Sequence, residues 1–368
     1  MADSPSTIGG SRVPAAAAEP QTGTAPGLLM RLMVGVGGIG SGLFFALEDN
    51  HTLGRNESRP GRLLDVRDYC KLHIISHYVA VLLRADAPKG RFRVLPVGKV
   101  GQDETGRRLA QEMAAAGMDV SLVRNVPGRP TMLSVCFQYP DGSGGNITTS
   151  ESAAGALTEA DVDEAVPVLC ATGRQAIALV APEAPMTVRR HLLRRATESG
   201  AVRVAAFASA ELPEAAESAM LGMVDLLAMN QDEAGVLVGS ALDLANPQPF
   251  LDRLAAACHR HQPAMRLLLS AGGAGAWAFD ASRWSHCPAL PVEVASTAGA
   301  GDALLGAAIA GLACGADLHA ALPLAVSLAA LTVTSPHTIH PGANLPAVLE
   351  LAGKMGVAID PLLVRQLG

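Results

Sequence analysis

Aromatic residues are scarce in this chain: Phe, Tyr and Trp together make up 3% of its 368 residues. Its core must therefore be built from Ala, Val, Leu and Ile. An apolar share of 49% supplies enough of them. The length suits one large domain, with or without a small appendage. Cysteines are few and scattered, at 70, 136, 170, 258, 287 and 314, with no C-x-x-C pair. In a chain this long, that spacing reads as reduced thiols and so as a cytoplasmic protein. Positive charge is not in excess either. The formal net charge is −6 and no basic run occurs, which argues against nucleic acid as a partner.

A membrane-spanning segment is not expected. The most apolar stretch, Ala303 to Thr334, carries Asp317 and His319 near its centre and Gly315 between two blocks, and Pro323 interrupts the second block. Two buried helices joined by a turn explain it better than a span. Residues 1–28 are rich in Ala, Pro, Ser, Gly and Thr, without a basic start followed by an apolar core. They read as a disordered tail and not as a signal peptide.

What is present is a rhythm. "LMVGV", "FRVLPVG", "QAIALVA", "VRVAAFA", "VDLLAMN" and "MRLLLSA" read as strands, and helical runs lie between them. "DETGRRLAQEMAAAG" is an amphipathic helix ending in glycine, with the short strand "DVSLVR" after it. Such alternation predicts an α/β fold with a mostly parallel sheet covered on both faces. Two segments break the rhythm. "TMLSVCFQYPDGSGGNITT" has hairpin arms around a Gly/Asp turn, and residues 48–64 are polar. Together they predict a small β lid. Its edges and apolar face invite pairing of two lids in a homodimer.

Glycines crowd the end of the chain's first strand. Gly35 to Gly40 spell a literal G-x-G-x-x-G. A dinucleotide site would need a full helix next, then a second strand ending in an acid. "LFFALEDN" is too short for that helix, and the long helical pattern starts only near Asp68. The glycines instead let the strand pass close to a substrate or to the lid.

In parallel sheets, ligands sit beyond the carboxyl ends of the strands. The best motif there is "VEVASTAGAGDALLGAAIAGLA", read as a strand ending at Ser296, a turn of small residues, then an apolar helix. Small residues let backbone N–H groups converge at Gly299, Ala300 and Gly301, at the positive end of the helix dipole. Asp302 follows at once. A carboxylate beside an anion hole suits a base that takes a proton from a hydroxyl attacking phosphorus. The competing reading is a glycine-rich N-cap in which Asp302 merely favours the dipole.

G-A-G-D before an apolar helix resembles the late signature of the ribokinase-like (phosphofructokinase-B type) carbohydrate kinases. "VGKVGQDETGRRL" is similar to that family's G-x-x-G-x-D-x-x-G element. "DGSGGNITTSESAAGALT" resembles its lid arm, "NQDE" its N-x-x-E, "SAGGAGAW" its nucleotide segment, and "HPGANLP" its late G-A. The resemblance runs from about residue 90 to 346. It implies a three-layer α/β/α domain over 29–368, with lid segments at about 42–64 and 128–150. It implies ATP-dependent phosphoryl transfer to a hydroxyl of a sugar, sugar phosphate or nucleoside-like acceptor. Asp302 would be the base and the Gly299, Ala300 and Gly301 amides the anion hole. Asn230 and Glu233 would orient phosphates and Mg²⁺ through water. Ser270, Gly272 and Gly275 would line the nucleotide site, and Gly342 and Ala343 would close the adenine pocket.

Three departures stand out. Ser296 occupies a place where the family usually has Asp, which leaves monovalent-cation dependence open. "GGIGSG" lacks the family's early sugar-gripping Asp, and the early G-G-x-x-x-N element is missing. The loop "EDNHTLGRNESRPGR" offers Asn50, Arg55 and Arg59 for an anionic group on the acceptor, with Arg129 from the other lid arm. A solvated loop or a subunit contact explains these arginines equally well. The lost sugar elements also allow a non-catalytic protein that binds a nucleotide or metabolite. His73 and His77, at i and i+4, are read as packed or partly exposed residues and not as metal ligands.

Overall fold

The computed structural model describes residue 1 and residues 27–86, 90–141 and 144–368. The predicted tail lies almost wholly outside the described residues. Leu28 is already buried, and the Met30 N–H donates to the Ala313 carbonyl at 3.0 Å.

The strands are β1 (Leu32–Val36), β2 (Gly40–Ala46), β3 (Arg62–Tyr69), β4 (Arg93–Gly101), β5 (Val123–Val126), β6 (Met132–Gln138) and β7 (Gly144–Thr148). They continue with β8 (Ala176–Val180), β9 (Val202–Ala206), β10 (Leu226–Asn230), β11 (Arg266–Ser270), β12 (Ala276–Phe279) and β13 (Trp284–Cys287). Among the described residues these form a nine-stranded sheet, in the order β13-β12-β11-β10-β9-β8-β1-β4-β5, and a four-stranded sheet, in the order β3-β2-β6-β7. The large sheet is parallel except where β12 meets β11 and β13. Strand period two sends Leu32, Val34 and Val36 to one face and Met33 to the other.

Helices α1 (Lys71–Leu82), α2 (Glu104–Ala115), α9 (Ala300–Ala313), α10 (Leu318–Thr332), α11 (Leu345–Lys354) and α12 (Pro361–Leu367) pack on one face. Helices α3 (Glu159–Asp163), α4 (Val166–Thr172), α5 (Met186–Ser199), α6 (Leu212–Glu217), α7 (Gln231–Val238) and α8 (Gln248–His259) pack on the other. The expected three-layer α/β/α architecture with a β lid is thus present. The apolar stretch is α9 and α10 joined at Gly315, as the sequence suggested. No described helix is long and apolar enough to cross a membrane.

Strand order reverses at the middle of the sheet. From β1 the chain builds outward through β4 and β5, then returns to pair β8 on the other side of β1. The carboxyl ends of β1 and β8 flank this switch point, where open α/β sheets bind ligands.

Three local expectations are corrected. First, the early lid segment extends further. The polar loop lies between β2 and β3, β3 continues to Tyr69, and α1 starts only at Lys71. Second, "VEVAS" is not a strand. Pro288 and Pro291 deny a ladder its N–H donors, and the Ala295 and Ser296 N–H groups both donate to the Val333 carbonyl. Third, "DVSLVR" begins as a 3₁₀ turn, Val120–Leu122, before β5.

The lid edge at β3 is not free. Thr338 N–H donates to the Arg67 carbonyl at 3.1 Å, and the Tyr69 N–H donates to Thr338 Oγ1 at 3.1 Å. His337 Nδ1 accepts from the Arg67 N–H at 3.0 Å. The lid is therefore stitched to the loop 335–344.

Candidate active site

Helix α9 begins at a glycine for a steric reason. Gly299, its N-cap, has φ +81°, a conformation that L side chains rarely adopt. A Cβ there would lie 2.3 Å from the Thr338 carbonyl oxygen. Thr338 thus backs the turn that aims the first amides of α9. Those amides have no partner within the helix, and the Ala300 N–H makes only a long contact, 3.4 Å, to the Thr297 carbonyl.

They face a cavity of about 470 Å³ at the carboxyl ends of β10 and β11. Nine residues expected from the sequence line it together: Asn230, Glu233, Ser270, Gly272, Gly275, Gly299, Ala300, Gly301 and Asp302. One end is polar. The other is an apolar slot made by Leu268, Val292, Val294, α10's Val326 and Ala329, and Val333 just after that helix. Gly342 and Ala343, expected to close the adenine pocket, are not in this lining. α10 and the segment 292–294 close the slot instead.

Asn230 and Glu233 do two things at once. The Asn230 side chain accepts from the N–H groups of Asp232 and Glu233 at 2.9 and 2.8 Å, and Glu233 Oε2 accepts from the Asn230 N–H at 2.8 Å. This is a capping box at the start of α7. It consumes one Glu233 oxygen, and the other, Oε1, lies 3.7 Å from Lys71 Nζ.

Lys71 was not expected. It is the first residue of α1 and lines the cavity between Glu233 and Asp302. The Asp302 carboxylate holds the Lys71 ammonium above its usual range, against the opposing effect of burial. Asp302 in turn is pushed up to about 6, first by burial, with Lys71 pulling down and Glu183, Glu233 and Asp68 pushing up. Two more unexpected carboxylates therefore act on this site. Glu183 follows β8, between Pro182 and Pro185; its position just past a strand was a usable signal. Asp68 is on β3, in the segment that stands in place of the missing early element, and no motif marks it.

The four residues proposed for an anionic acceptor lie elsewhere. Arg59 donates to Asp49 Oδ1 at 2.5 Å and to the His51 carbonyl. Asn50 Oδ1 accepts from the Asp141 N–H at 3.0 Å. Arg55 and Arg129 are exposed, and none of the four lines the cavity. Burial pushes His73 down to about 3 and His77 to about 4, so both are neutral side chains packed against Tyr69 and Tyr78. The Cys70 thiol is held well above its usual range by burial and by Glu183, which rules it out as a thiolate nucleophile.

Helix-start amides, a carboxylate and an apolar slot thus lie together beyond the parallel strands of a three-layer α/β/α fold, an arrangement suited to a phosphotransferase. Solved structures agree on the fold. A ribokinase from Giardia lamblia superposes with TM-score 0.73 at 18% identity, covering 89% of this chain and 99% of that one. A ribokinase from Arabidopsis thaliana, complexed with ribose and ATP, gives 0.68 at 20% identity, covering 88% and 98%. A candidate ribokinase II from E. coli, in complex with ATP and Mg²⁺, gives 0.69 at 19% identity, covering 88% and 99%. The pfkB family carbohydrate kinase model matches residues 80–344, and the chain belongs to that family: it is a carbohydrate kinase, a phosphotransferase with an alcohol acceptor. Among curated relatives, a 2-dehydro-3-deoxygluconokinase from Thermoproteus tenax is 27% identical over 254 residues, 64% of this chain and 73% of that protein. The bifunctional protein HldE of Bradyrhizobium diazoefficiens is 28% identical over 254 residues, 66% of this chain; the match spans about half of that protein, 48%.

Proposed function

We propose that the chain transfers the γ-phosphoryl group of ATP to a hydroxyl of a small acceptor, with Asp302 as general base. One observation carries this reading: Asp302 faces the cavity within the first turn of α9, with Lys71 beside it and the nucleotide-side residues beyond. The adenine occupies the apolar slot, and Ser270, Gly272 and Gly275 flank the phosphates. The acceptor hydroxyl gives its proton to Asp302 as its oxygen attacks phosphorus. The amides at Gly299, Ala300 and Gly301 stabilise charge on the transferring group. A donor set of this kind contributes on the order of 3 kcal/mol per donor. The proton stays on Asp302 until product leaves.

Glu233 Oε1 and the Asn230 side chain suit Mg²⁺ only through water. The capping box already uses their other capacity, and Mg²⁺ dehydrates reluctantly. Among the described residues, no cluster of three or more His, Cys, Asp or Glu could hold an ion directly. When bound, the ion neutralises phosphate charge. Ser296 Oγ accepts from the Ala298 N–H at 3.2 Å, so this position is given to local turn geometry.

Turnover of Mg-ATP across neutral sugars, sugar acids, sugar phosphates and nucleosides tests the reading. ADP release that depends on one acceptor class is the expected result. ATP binding by calorimetry with no turnover on any member would replace it with the non-catalytic alternative.

The lid supports a homodimer. Its outer face exposes Leu43, Leu63, Val135 and Ile147, the last at 73%. Leu43 is opposite Val135, and Val135 opposite Ile147, so they form one apolar patch on a sheet. Wild type is expected to show a dimer mass by light scattering and Ile147→Asp a protomer mass. A protomer mass for wild type would refute the pairing.

A further inference from the structure

The opening glycines have a use that is visible only in three dimensions. Gly38 lies at the switch point, its N–H donating to the Pro182 carbonyl at 3.0 Å. A Cβ on Gly38 would lie 2.5 Å from Glu183 Cβ and 3.1 Å from Glu183 Oε2. Gly42 is paired across the lid with Asp68, and a Cβ there would lie 2.0 Å from Asp68 Oδ2. The absence of a side chain at Gly42 is therefore what gives the Asp68 carboxylate its space.

That space is on the lid's inner face. Ser134 of β6 is opposite Gly42 and shares a 2.8 Å hydrogen bond with Thr148. Cys136, two residues on, is pushed up to about 11 by burial and by Asp68 and Glu183, so the same face looks toward both carboxylates. From the body, Glu183 looks back. It is held at φ +70°, which strains a non-glycine residue. Its Oε2 is buried, and among the described residues the only donors that act on the carboxylate are the Cys70 thiol and the Lys71 backbone N–H, which leaves it capacity to accept from a hydroxyl. Asp68 is pushed up to about 6 by burial and by Glu183, while the Tyr69 N–H and the Thr338 hydroxyl pull it down. The strongest charges on Asp302 are one ammonium, Lys71, and three carboxylates, Glu183, Glu233 and Asp68.

A wall of this kind offers acceptors to hydroxyl groups and repels anions. We propose that Asp68, reaching through the gap at Gly42, determines acceptor specificity, gripping hydroxyls of a neutral polyol and excluding sugar acids and sugar phosphates. This inference rests on the kinase reading, with one acceptor hydroxyl presented to Asp302 while neighbouring ones meet Asp68 and Glu183. It also separates this chain from the curated relative named for a sugar acid.

The experiment compares neutral sugars and polyols with their acid and phosphate counterparts, in wild type and in three variants. Wild type is expected to use a neutral member at least about 100-fold better in kcat/KM than its anionic counterpart, as expected for a desolvated like-charge contact. Asp68→Asn is expected to raise the acceptor KM by about 10-fold or more while leaving the ATP KM unchanged. Gly42→Asp alone is expected to lose activity by crowding Asp68. The double variant Gly42→Asp with Asp68→Gly returns a carboxylate to the same space and is expected to recover most of the acceptor KM, which a merely structural role for Asp68 would not do. Turnover that favours an anionic acceptor overturns the proposal and leaves the kinase reading standing. So does an Asp68→Asn enzyme with a wild-type acceptor KM, or a double variant no better than Gly42→Asp. ATP binding without turnover on any acceptor overturns both.

Discussion

Replacing Asp302 with Asn is expected to cut acceptor-dependent turnover by orders of magnitude and to raise thermal stability. Loss of a positioned base costs about 10²–10⁴-fold in rate, measured as kcat with ATP and the true acceptor saturating. The stability change has the opposite sign for a stated reason. Burial lifts the Asp302 carboxyl to about 6 from the ordinary 3.8. A carboxyl whose folded-state value is raised opposes folding when ionised, so its penalty is complete above about pH 6 and vanishes below the ordinary value. A shift of this size corresponds to an upper bound of about 3 kcal/mol, and contact with cavity water reduces it to on the order of 1–2 kcal/mol. Asn keeps the shape without the charge, so the midpoint of a melt at neutral pH should rise by a few degrees. In wild type, kcat/KM should fall as pH drops through about 6, when the base takes up a proton. Turnover near the wild-type rate in Asp302→Asn would remove the base role.

Lys71→Met is expected to lower kcat by about 10²-fold, the scale of losing one charge-stabilising donor, and to move the acid limb of the pH profile upward. The ammonium pulls the Asp302 carboxyl down; without it, burial and three neighbouring carboxylates act unopposed. The base is then protonated at a higher pH. The fold should persist. A lysine in the first turn of a helix works against the helix dipole, and α1 has no acidic residue there to offset it. Helix stability therefore does not explain Lys71. An unshifted acid limb in Lys71→Met, with full kcat, would show that the ammonium is a bystander.

The sequence was most readable where one segment carries a complete local message. Alternating strands and glycine-ended helices marked the layers, because period and turn chemistry are local properties. The α9 turn was readable because Gly299, Ala300, Gly301 and Asp302 are consecutive. Asn230 and Glu233 were readable one helical turn apart, beyond a strand. What stayed hidden is what lies across strands. Asp68 acquires meaning only when β2 and β3 pair and Gly42 leaves room for it. Lys71 reaches Glu233 from a helix more than 150 residues earlier in the chain, so no spacing rule links them. The arginines of the polar loop looked available in one dimension, yet Arg59 is occupied by Asp49. Strand β3 was hard to see because "RLLDVRDY" has no clean alternation and runs straight toward α1.

The stitching of β3 to Thr338 has a mechanical consequence. The carbonyl of that threonine is the surface on which Gly299 rests, while its N–H and hydroxyl are tied to Arg67 and Tyr69. Any swing of the lid large enough to break those ties would also take away the support under Gly299, so the position of the lid and the shape of the α9 turn are coupled through one small side chain.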